Sequence, residues 1–110
     1  MAFNRTLTRN ITTVQTVRTA SAGGEVVIGL RVTNITASAI KASVYITSGG
    51  SDYYLVGGAT NSTMGADIAV GGSLVVINGG NIDKVVLLAG DVIKTVSSGA
   101  CDVICSAMEN

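Results

Sequence analysis

Two cysteines, five aspartates and three tyrosines are the side chains of this 110-residue chain best suited to act as nucleophiles, ligands or ring platforms, and histidine is absent. Cys101 and Cys105 stand four apart in ACDVICSAM. On an extended strand they share one face about 13 Å apart, too far for a disulfide, which needs Cα atoms within ~7 Å. Two thiols are half of the four N or S donors of a structural zinc site. A Ser or Cys nucleophile lacks its commonest base. Both cysteines are therefore expected as buried free thiols beside Val103 and Ala107, suited to a reducing cytoplasm.

The carboxylates read as structural too. Glycoside hydrolysis needs two facing carboxylates and calcium needs a cluster, whereas Asp52, Asp67, Asp83, Asp91 and Asp102 sit mostly near predicted strand ends, where turn capping explains them. Gly pairs at 23–24, 49–50, 57–58, 71–72 and 79–80 precede no Gly-Lys-Ser/Thr and read as turns. The chain is expected to be no enzyme and to hold no metal and no cofactor. Tyr45, Tyr53 and Tyr54 flank one predicted turn, either as interface or rim packing or as a sugar-binding patch. Arg5 and Arg9 make a weakly basic segment, but with zero net charge no nucleic acid is expected as a partner.

These residues ride on a chain with a two-residue beat. In residues 26–34, Val26, Ile28, Leu30 and Val32 face one way and Val27, Gly29, Arg31 and Thr33 the other. In residues 40–47, Ile40, Ala42, Val44 and Ile46 alternate with Lys41, Ser43, Tyr45 and Thr47. Ser48-Gly49-Gly50-Ser51 closes a hairpin with residues 53–56. Further strands are expected over 11–19, 67–70, 73–77, 84–88, 92–96 and 101–108, with a loose polar connection over 57–65 and a turn over 78–81. About eight short strands without helical period predict an all-β antiparallel sandwich, jelly-roll or Ig-like, over residues 11–110, preceded by an N-terminal arm over 1–10.

Composition points outward. Hydrophobic residues make up 47% and charged residues 13%, with no proline. Near-neutral chains with surplus apolar surface and unblocked edges associate, so a homo-oligomer is expected. Residues 1–41 hold five cations against Glu25, a sum of +4, and residues 42–110 hold Lys84 and Lys94 against six acids, a sum of −4. These halves either form opposite faces or interleave. The opening MAFNRTLTRN lacks a secretory core, and no apolar run nears the ~20 residues that span a bilayer, so no membrane association is expected. Asn-x-Ser/Thr triplets begin at Asn4, Asn10, Asn34 and Asn61 and are read as unglycosylated.

Over residues 25–109, the order NITASAIKASVYITSGGSDYYLVGGA, GGSLVVINGG and KVVLLAGDVIKTVSSGACDVICSAME resembles small virion proteins of tailed bacteriophages, the marine and cyanobacterial phages in particular. The resemblance implies a structural β-sandwich in many copies, assembled in the host cytoplasm. A capsid decoration (cement) subunit is expected, contacting major capsid, neck or tail proteins through Phe3, Arg5, Arg9 and the tyrosines. A neck or tail accessory subunit and a carbohydrate-binding host-adhesion module are the alternatives.

Overall fold

A strand with one apolar face must bury it against a second sheet, and the computed structural model supplies two sheets for this purpose; it describes residues 2–10, 14–58, 65, 67–79 and 83–109. The strands are β1 (Ala2–Asn10), β2 (Gln15–Thr19), β3 (Glu25–Asn34), β4 (Ile40–Ser48), β5 (Ser51–Val56), β6 (Asp67–Ile68), β7 (Ser73–Ile77), β8 (Val85–Leu87), β9 (Val92–Ser97) and β10 (Cys101–Glu109). The first sheet runs β1-β10-β3-β7 with β8 also on β3, and the second runs β2-β9-β4-β5 with β6 also on β4. β7 and β8 lie end to end along β3, and β5 and β6 along β4. Ten strands thus occupy eight lines, every pair antiparallel.

In chain order the first line pairs with the eighth, the second with the seventh, the third with the sixth and the fourth with the fifth. One long hairpin has been rolled so that the third also meets the eighth and the fourth meets the seventh. This is jelly-roll connectivity, one of the two arrangements expected from the alternation. Between the sheets lie Val27, Leu30, Val32, Ile77, Leu87, Val103 and Ala107 from the first and Val17, Ile40, Ala42, Val44, Ile68 and Ile93 from the second. The β4–β5 turn needs two left-handed residues, and Gly49 (φ 59°) and Gly50 (φ 84°) provide them.

Three expectations are corrected. Residues 2–10 do not extend as an arm: they form β1, each paired in unbroken register with β10. The repeated Thr and Asn between apolar and cationic residues give this segment a two-residue beat of its own, so it joins the sheet. In β3 the phase changes midway, because Gly29 faces Ser106 and Val27 faces Ala107, leaving Ile28 as a bulge. Val27 therefore joins Leu30 and Val32 inside, while Val26 and Ile28 are only half-buried. β6 stops at Ile68, and Val70 lies exposed in the turn that Gly71 completes. Residues 11–13 of the expected second strand, most of the 57–65 connection, Asn61, and Gly80-Asn81 of the 78–81 turn lie outside the described residues.

The nested pairing sets β1 and β3 beside β10 and β4 beside β6, while Arg18 of β2, whose neighbour β9 carries Lys94, reaches its acids across the sandwich, so the two charge sums interleave. Arg9 meets Asp102, Arg18 meets Glu109, and Lys41 meets Asp67. Turn capping accounts for Asp83, which accepts from the Asn78 N–H at 2.7 Å, and for Asp91, which accepts from Leu88 N–H and Ser48 Oγ. Asn10 and Asn34 are buried, and their amide nitrogens donate inside the fold, so neither triplet is open to glycosylation in the folded chain.

Cys101 and Cys105 are free and fully buried, as their alternation with Val103 and Ala107 requires. Burial raises both thiols, Cys105 to about 11, with Arg18 pulling it down and Glu25 pushing it up. A disulfide reagent at pH 8 is expected to find no thiol in the native protein and two after denaturation. The folded Cys105 value exceeds the unfolded one, so its contribution is complete below the unfolded value and is lost as pH rises through about 11. Denaturant midpoints measured from pH 8 to 11 should fall more steeply in the wild type than in Cys105→Ala.

Candidate assembly surface

Alternation along β1 sends Thr6 and Asn10 inward and Phe3, Arg5, Leu7 and Arg9 onto the outer face of the first sheet. Its neighbours are set by register. Phe3, Met108, Val26 and Val86 form one row across all four lines. Leu7, Ile104, Arg31 and Val75 form another, and Arg9, Asp102, Thr33 and Ser73 a third. The first row is wholly apolar, with Phe3 75% and Val86 65% exposed, and Leu88, 69% exposed, stands beside it. A shallow depression of about 320 Å³ lined by Val26, Val86, Leu88 and Met108 marks this end.

The opposite end is polar. Arg9 Nε donates to Asp102 Oδ1 at 2.8 Å, and the Thr33 and Ser73 hydroxyls lie 2.8 Å apart. The hydrogen bond from Arg9 holds the Asp102 carboxyl below its usual range, and the same bond raises Arg9. Beside this pair a second depression of about 370 Å³ is lined by Leu7, Arg9, Asp102 and Ile104. The whole face grades from oily to ionic along the strands. Its exposed apolar rows are suited to adhesion, since large contiguous apolar patches on soluble domains mark contact surfaces.

The second sheet carries the tyrosines differently. Tyr45 faces Tyr54 across β4 and β5 with ring centroids 4.8 Å apart. Tyr53 faces Ile46 and so projects from the other side of the ribbon. Desolvation, followed by the charge of Asp52, raises the Tyr45 hydroxyl. Phe3, Arg5 and Arg9 therefore come together on one sheet and Tyr45 and Tyr54 on the other, while Tyr53, also on the second sheet, projects from its opposite side and joins neither group. No group of three His, Cys, Asp or Glu side chains among the described residues is placed to hold a metal ion.

Leu7, Val26, Val75, Val86, Leu88 and Met108 belong to the surface and were missed by a search for chemical side chains. The signal for all but Leu7, which stands between two threonines, is consecutive apolar residues, as in Val26-Val27, Val75-Val76 and Val85-Val86. A half-buried strand needs only every second residue apolar, so doubled ones report an oily outer face.

No protein-family model matches the chain, and no curated protein matches it. Among solved structures it is similar to a pentameric capsid protein isolated from metagenomic phage sequences, known from its crystal structure, at 22% identity and a TM-score of 0.46. The alignment covers 96% of this chain and 62% of that one, so this chain spans less than two thirds of that protein's length.

Proposed function

We propose that this chain is a structural subunit of a tailed-phage virion, a decoration subunit bound to the head in many copies. The observation that carries the reading is the outer face of the first sheet, where an apolar row spans all four lines and leaves Phe3 and Val86 exposed. An adhesive sandwich is what a cement subunit requires, and the resemblance over residues 25–109 supplies the phage context. A jelly roll by itself supplies less, because the same architecture serves capsids, lectins and cupins.

Purified particles of the encoding phage, probed with antibody to the chain, should carry it in many copies after washing; particles without it would remove the assignment. Recovery in tail fractions alone would favour a neck or tail subunit. Phe3→Glu with Val86→Glu should cut incorporation about tenfold or more, since each buried apolar anchor contributes on the order of 1–2 kcal/mol. Circular dichroism should be unchanged, because both side chains are exposed.

A host-adhesion module is the second reading, resting on the Tyr45–Tyr54 pair. Glycan binding abolished by Tyr54→Ala would replace the cement assignment.

A further inference from the structure

Four lines bound the two sheets, and three of them are blunted. The β7–β8 line is broken between Ile77 and Val85, with the Gly79–Asp83 bridge lying between the two strands in sequence. The β5–β6 line is broken between Val56 and Asp67. β2 is five residues long and shifts register against β9 between Thr16 and Arg18. β1 is different: nine residues in one register, with no bulge, and nothing among the described residues paired to its outer edge. Interruptions, bulges and short strands help to prevent edge pairing, and β1 has none of these; its charged side chains, Arg5 and Arg9, oppose pairing only in registers that bring them together.

We infer that β1 pairs with β1 of a second copy of this chain, antiparallel, across a two-fold axis at Thr6. Charge chooses this register. Centred on Thr6, Arg5 of each copy faces Leu7 of the other, and Arg9 faces Phe3, so each guanidinium meets an apolar side chain and Arg9 can lie over a ring. Asn4 faces Thr8, and Thr6 faces Thr6. A slip of two residues one way sets Arg5 against Arg5. The same slip the other way sets Arg5 against Arg9. A slip of one residue sets outward side chains against inward ones, which the oily and polar faces forbid. The centred register alone among these frees both arginines from each other. The result is an isologous dimer with one sheet running through eight lines. It concerns the isolated chain and stands whether or not the virion reading holds.

Analytical ultracentrifugation over a concentration series tests it with three variants at exposed positions, each checked for an unchanged circular dichroism spectrum. The wild type should dimerise. Leu7→Arg sets guanidinium groups face to face at both symmetry-related pairs and should weaken the dimer about tenfold or more. Leu7→Glu sets a carboxylate opposite Arg5 and should hold or tighten it. Arg5→Glu combined with Leu7→Arg should return the dimer to within about threefold of wild type. A wild type that stays monomeric at about 100 μM, where a 10 μM dimer would be largely formed, overturns the inference. So does a dimer that ignores Leu7→Arg, or one that Leu7→Glu weakens equally, since either places the contact elsewhere.

Discussion

Arg18→Met is expected to cost about 3–5 kcal/mol of folding free energy, the usual penalty for stranding one member of a buried ion pair. The Arg18 side chain is 9% exposed and that of Glu25 is fully buried. Arg18 projects from the second sheet toward Glu25 of the first, and its Nε and Nη2 donate to the two Glu25 oxygens, the latter at 3.0 Å. Its Nη1 donates to Thr6 Oγ1 at 2.9 Å, and Nη2 also reaches Glu109 Oε1 at 3.1 Å. One guanidinium thus ties β2 to β1, β3 and β10. Without it, Glu25 keeps only the Ser21 N–H at 3.3 Å. With roughly 4–8 °C per kcal/mol for a domain of this size, the thermal midpoint should fall by about 12 °C or more. Arg18→Met with Glu25→Leu should recover most of the loss, because an apolar pair asks for no solvation. A double variant as unstable as the single one would show that the cost lies in packing rather than in charge.

Asn34→Ala should cost about 3 kcal/mol, read by urea denaturation, since it leaves several backbone groups without partners. Asn34 is 2% exposed. Its Nδ2 donates to the carbonyls of Ser38 at 2.8 Å, Ile68 at 3.0 Å and Ala69 at 3.3 Å. Its Oδ1 accepts from the N–H and hydroxyl of Thr36, both at 2.8 Å. One side chain thereby binds the end of β3, the crossing to β4 and the turn after β6. Asn34→Asp keeps the acceptor but turns a carboxylate toward three carbonyl oxygens, so at pH 7 it should be at least as destabilised as Asn34→Ala. The carboxyl introduced there would have a raised pKa. Its contribution is present below the unfolded value and lost as pH rises through the folded one, so acidification toward pH 4 should recover stability. An Asn34→Asp protein no weaker at pH 7 than at pH 4 would contradict this geometry.

Much of the fold was legible because one face of each strand had to be oily. Cys101, Val103, Cys105 and Ala107 fixed the inner face of β10, and the Gly49-Gly50 turn fixed the β4–β5 hairpin. What alternation conceals is phase and pairing. The Ile28 bulge leaves no local mark because Val26, Val27 and Ile28 are equally apolar, and only β10 decides which point inward. Residues 2–10 read as an arm because their partner lies at the far end of the chain, and no nearby turn announces it. The tyrosines were grouped by proximity in sequence, which on a strand places neighbours such as Tyr53 and Tyr54 on opposite sides. The apolar outer face was not legible from reactive groups because its constituents are unreactive apolar side chains.

The rolled order of the lines also governs timing. Ala2–Asn10 leaves the ribosome well before its hydrogen-bonding partner Cys101–Glu109 is made, and at roughly 5–20 residues per second that wait lasts several seconds. During it, Phe3 and Leu7 have no neighbour and a bare ladder on both sides. Newly made copies on one message are then each other's nearest source of matching strands. Slow closure of the roll therefore favours exchange between nascent chains, and warmth or crowding during expression should set the yield of well-formed protein more than the depth of its interior does.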